Sequence, residues 1–99
     1  MRTLLTATMD AASGNKAILD GSLPKNMKSI MDSLKPEAAY FFVSEGCRTC
    51  LMVFDMKDPS EIPLTVEPLF MGINAKVNLT PVMNAEDLQK GLEAWQKTQ

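Results

Sequence analysis

The chain contains no histidine. That absence removes the imidazole base, the haem-ligating imidazole and every zinc site that needs a nitrogen donor. Ser-His-Asp and Cys-His nucleophilic machinery go with it. Only two cysteines are present, too few for the disulfide framework of a small secreted domain. Surplus positive charge is missing as well: ten Lys and Arg stand against twelve Asp and Glu, a net charge of -2. A grip on nucleic acid needs clustered cations to neutralise phosphates, so no nucleic-acid partner is expected. No uninterrupted apolar run approaches the ~20 residues of a membrane-spanning helix, and Met1 to Asp10 is too short and too Thr-rich for a secretory leader. A cytoplasmic protein with reduced thiols and no membrane partner is the expectation. Neither GxGxxG nor GxxxxGK occurs, so no glycine-rich phosphate loop is present.

What remains is 99 residues, 45% hydrophobic and 22% charged, the composition of one folded domain spanning 1–99. Thr3 to Met9 is apolar and β-branched, which favours a strand. From Ala11 to Leu34 the period becomes helical, and Leu23, Met27, Ile30, Met31 and Leu34 form one stripe. Pro24 is tolerated only in a first turn, so a kink or a restart at Ser22 is expected; Pro36 closes the segment. Ala38 to Ser44 and Thr49 to Met56 read as two buried strands joined by a Gly-containing turn, an antiparallel hairpin. A helix follows around Ile62, Val66, Leu69 and Phe70, and Pro68 predicts that it is short, bent or broken. Asn74 to Val82 alternates: Ala75, Val77 and Leu79 point one way, Lys76, Asn78 and Thr80 the other. Asn84 caps a last helix with Asp87 at its third position and Leu88, Leu92 and Trp95 on one face.

The order β-α-β-β-α-β-α matches a split β-α-β arrangement with one extra helix. Both hairpin strands are apolar on both faces: Leu51 and Val53 oppose Cys50, Met52, Phe54 and Met56, while Ala39, Phe41 and Val43 oppose Tyr40 and Phe42. A sheet with water on one side would alternate apolar with polar residues. Two helices can cover only one side, so a second copy of the chain is the expected cover for the other.

Element order, length, terminal helix and two-sided sheet resemble the dimeric α/β-barrel superfamily. The segment Glu67-Pro-Leu-Phe-Met-Gly-Ile-Asn-Ala-Lys-Val-Asn-Leu-Thr-Pro-Val-Met83 is similar to its small uncharacterised bacterial members. The resemblance implies an α+β, ferredoxin-like domain with a four-stranded antiparallel sheet and helices on one face. It also implies a homodimer whose sheets pack face to face as a barrel, with a small-molecule cavity in each half. Within such a barrel Val77 and Leu79 would face the helices. Lys76, Asn78 and Thr80 would face the cavity or the partner, joined by Thr6, Thr8 and Tyr40, with Met52 and Phe54 as apolar lining.

Cys47-Arg-Thr-Cys50 has CxxC spacing, but the pair straddles a hairpin turn rather than opening a helix. Zinc would need two further ligands that the sequence does not supply, so a structural thiol pair is expected, with Cys47 the more oxidisable. Eight methionines is a high count: a Met-lined surface can serve an apolar ligand, but Met27, Met31, Met52 and Met56 are assigned to filling gaps in core and interface. No metal and no cofactor is expected. Three functions stay open: binding of a small apolar or mixed-polarity molecule, a cofactor-independent enzyme of the monooxygenase or isomerase kind, and a protein-interaction module. Many enzymes of the superfamily rely on a histidine that this chain lacks. A substrate carbanion can still drive oxygenation without one, with Tyr40 or Lys76 as the titratable group.

Overall fold

The structure, a computed structural model, describes residues 1–99. Strand β1 covers Arg2–Met9, and helices α1 and α2 cover Ala11–Leu19 and Ser22–Leu34. Strands β2 (Ala38–Ser44) and β3 (Cys47–Asp55) form the hairpin. A 3₁₀ turn at Pro59–Glu61 then leads into α3 (Ile62–Ile73), β4 (Lys76–Pro81) and α4 (Ala85–Gln96). The 4-stranded sheet has the order β2-β3-β1-β4 with every neighbouring pair antiparallel, an α+β arrangement compatible with a ferredoxin-like fold.

Local chemistry explains most boundaries. Asp10 accepts from the Ser13 amide at 2.9 Å and caps α1. The helical stretch restarts at Ser22, as the proline predicts. Gly21 sits at φ 78, a left-handed conformation that costs a side-chain residue more, and the Asp20 carboxylate accepts from the Ser22 amide at 2.8 Å. The hairpin turns on two consecutive left-handed residues, Glu45 at φ 51 and Gly46 at φ 75, the positive pair that a two-residue primed turn requires. Of the short, bent or broken helix expected at Pro68, the break is absent: α3 runs unbroken through it for 12 residues. The proline lies on the solvent side of α3, where water can take over the carbonyl freed by its missing N–H, while Val66 and Leu69 face the core.

Strand register sorts the two faces of the sheet. Leu5 pairs with Met52 on one side and Leu79 on the other; Ala7 pairs with Cys50 and Val77; Thr3 pairs with Phe54 and Pro81. These residues lie under α1, α2 and α3, and with Ala17, Ile30, Leu69 and Ile73 they make the core. Leu5, Met52 and Leu69 are the largest fully buried side chains, each contributing roughly 1.5–3 kcal/mol of burial free energy. Met27, Met31 and Met56 pack at the rim of that core. On the other face no element covers the sheet.

The helix α4 stands apart from this two-layer body. Every one of its residues is exposed, including Leu88, Leu92 and Trp95. The radius of gyration of 16.0 Å exceeds the ~13 Å of a compact chain of this length, and the longest extent is 56 Å. No helix is long and apolar enough to cross a membrane.

Candidate functional site

Antiparallel register assembles the uncovered face in rungs. The central rung runs Tyr40, Leu51, Thr6, Asn78 from edge to edge, ~14 Å across three strand spacings. Beside it lie Phe42, Thr49, Thr8 and Lys76 on one side, and Ala38, Val53, Leu4 and Thr80 on the other. Six of the residues singled out from the sequence, Thr6, Thr8, Tyr40, Lys76, Asn78 and Thr80, therefore share one surface. Polarity is graded across it: β4 presents Lys76, Asn78 and Thr80, β1 mixes Leu4 with two threonines, and the hairpin presents Leu51, Val53, Tyr40 and Phe42. Tyr40 is 64% and Phe42 43% exposed, a large aromatic area to leave against water. The Thr8 and Thr49 hydroxyls stand 3.4 Å apart across the β1–β3 ladder, and Thr49 also donates to the Cys47 carbonyl at 3.2 Å.

Met52 and Phe54 require correction. Both are buried, at 0% and 3% exposure, on the opposite, helix-covered side of the sheet. They cannot line a space that Thr6 and Asn78 line, because an odd offset along β3 reverses the face. The apolar wall of the uncovered face is supplied by Leu51 and Val53 instead, both half-buried. Period alone could not choose between the two sets, since both are apolar; only the pairing of Leu5 with Met52 decides it.

Arg2 is a further member that sequence reasoning missed. It shares the face of Leu4, Thr6 and Thr8, and its guanidinium donates to Glu37 at 3.2 Å and to Asp87 at 2.6 Å. The hydrogen bond it donates to Glu37 is the largest influence raising its pKa, with the Asp87 charge adding to it. The signal was available in the alternation Arg2, Leu4, Thr6, Thr8. A concavity of about 670 Å³ opens at this end of the sheet, lined by Arg2, Glu37, Asp55, Val82, Met83 and Asp87 among others.

The two cysteines point to opposite faces, since they stand three positions apart along one strand, an odd offset. Cys50 is buried among the core residues, and desolvation pushes its thiol pKa up, away from nucleophilic reactivity. Both thiols are free, and Cys47 is half-exposed on the side of Leu51 and Thr49. No three Cys, Asp or Glu side chains converge in a way that could hold a metal ion. The carboxylates with lowered pKa values owe them to local hydrogen bonds away from the central rung. Asp10 takes amide and hydroxyl hydrogen bonds from Ser13, Asp20 from Ser22 and Asp58 from Ser60, while Asp55 is held by the Lys57 ammonium.

No family model matches the sequence, and no curated protein matches it.

Proposed function

We propose that the chain is one half of a homodimeric α/β barrel and binds a small molecule of mixed polarity in the seam between the two sheets. The supporting observation is the uncovered face itself. It carries Tyr40, Phe42, Leu51, Val53 and Leu4 beside an ordered set of hydroxyl, amide and ammonium groups. A bare sheet surface of that composition is costly in water, at ~25 cal/mol for each Å² of apolar area. A second copy turned about a two-fold axis would cover it with the same chemistry. Because polarity is graded from the hairpin to β4, two such faces enclose apolar walls with a few convergent polar groups, the usual constitution of a small-molecule pocket. Thr6 and Asn78 on the central rung would orient the ligand, with Lys76 offering a charge at one end.

Ligand-observed NMR screening of the purified protein against aromatic and mixed-polarity compounds tests the assignment. Hits are expected to disappear in Thr6→Leu and Asn78→Leu and to persist in Ser33→Ala, on the far side of the fold. Hits that survive both face substitutions would refute the seam as the binding site.

A further inference from the structure

The helix α4 carries an apolar stripe, Leu88, Leu92 and Trp95, that its own chain leaves largely open to water: the three are 46%, 56% and 62% exposed. Twelve residues is the length at which an isolated helix in water is marginal, and helices in proteins draw most of their stability from packing an apolar face. Gly91 weakens it further, by roughly 1 kcal/mol relative to alanine, and open space surrounds it. On a helical projection Gly91 flanks the stripe, where the lack of a side chain permits close approach by another surface.

The same chain carries an unfilled apolar groove. On the helix side of the sheet, α1, α2 and α3 leave the end of β2 bare, so Phe41 is 58% and Val43 75% exposed. Together with Leu23 and Met27 of α2 and Met9 of β1 they line a groove of about 340 Å³. Helix and groove cannot satisfy each other within one chain. The base of α4 is pinned at the Arg2 end of the sheet by the Asp87–Arg2 ion pair and by the Val82 amide donating to the Arg2 carbonyl at 3.1 Å. The groove lies at the Met9 end, ~23 Å away along β1 and on the opposite face.

We propose that α4 is an exchanged arm: its Leu88–Leu92–Trp95 stripe seats in the Leu23–Met27–Phe41–Val43 groove of a second copy, and the partner's α4 returns the contact. The exchange rests on the face-to-face dimer proposed above. When two sheets stack with their strands running oppositely, the Arg2 end of one lies over the Met9 end of the other. The groove is on the helix side but opens at the edge strand β2, where Phe42 of the uncovered face also lines it, so an arm that passes the partner's β2 edge reaches it. Closure is complete at two copies, because each subunit gives one arm and accepts one. The arms also add a tryptophan and two leucines per subunit to the interface, moving it toward the ~800 Å² per partner of a stable complex.

Two readouts test the exchange on the full chain. Trp95 is the only tryptophan, so its emission and its quenching by acrylamide report the arm directly. The expected result is a blue-shifted, several-fold less quenchable Trp95 at concentrations where sedimentation shows a dimer, reverting on dilution. Phe41→Glu is expected to restore quenching without removing any residue of the uncovered face. Independently, Val43→Cys with Leu92→Cys in a Cys47→Ser background is expected to oxidise to a covalent dimer. A bond formed within one chain would overturn the exchange, and so would no bond at all with Trp95 still freely quenched. A sedimenting dimer with a freely quenched Trp95 would sink the exchange alone, whereas a monomer would sink both it and the face-to-face dimer.

Discussion

Replacing Met52 by alanine tests the assignment of the two sheet faces. Met52 is fully buried and pairs across the sheet with Leu5 and Ala39, beneath the helical layer. Deleting its side chain removes transfer free energy and leaves a cavity, which costs about 2–5 kcal/mol in well-packed cores. A loss near 3 kcal/mol in a chain of this length lowers Tm by roughly 12–24 °C, and it is a large part of a total stability of about 5–15 kcal/mol. Leu51, its neighbour on β3, faces the other way and is only half-buried within one chain. Leu51→Ala is therefore expected to cost ~1 kcal/mol or less in dilute solution. Its cost should grow with protein concentration if a second sheet covers that face. Urea unfolding followed by far-UV circular dichroism at two protein concentrations measures both. A Met52→Ala loss below ~1 kcal/mol, with a larger concentration-independent loss at Leu51, would mean the faces are inverted and would refute the register argument.

Three further outcomes follow from particular contacts. The Asp55 carboxylate, held first by Lys57 and then by the terminal ammonium, has its pKa lowered from 3.8 to about 2. Its contribution to stability is thus complete above pH 3.8 and fades as pH falls toward 2, and Asp55→Asn should flatten that part of an acid unfolding curve. A Cβ on Gly14 would meet Arg48 Nη1 at 2.6 Å and the buried Met9 Sδ at 3.1 Å. Gly14→Ala should therefore destabilise the native protein but do so less in an Arg48→Ala background, a coupling of ~1 kcal/mol readable in a double-mutant cycle. Asn84 and Asp87 form a reciprocal cap at the start of α4. Asn84→Ala is expected to cost that helix about 1 kcal/mol, seen as faster amide exchange in its first turn.

Period and punctuation carried much of the architecture. The restart at Ser22, the strand Ala38–Ser44, the capped last helix and the outward alternation of Lys76, Asn78 and Thr80 are all present in the fold. Each is set by residues adjacent in sequence, through proline chemistry, capping or a period of two. The misplacing of Met52 and Phe54 and the absence of a break at Pro68 have a common cause in long-range context. Which side of β3 meets the helices depends on its pairing with β1 more than forty residues earlier in the chain, and both sides of β3 are apolar. Whether Pro68 breaks α3 depends on which side of the helix faces water. Arg2 escaped notice because its partners, Glu37 and Asp87, are distant in sequence and only topology brings them together.

Sedimentation velocity on the intact protein, with Leu51→Arg beside it, tests the covered-face proposal most directly. The expectation is a dimer for the parent chain and a folded monomer for the variant, whose guanidinium would sit at the centre of the apposed sheets. A parent chain that sediments as a monomer at every concentration would contradict it, as would a Leu51→Arg variant that remains fully dimeric.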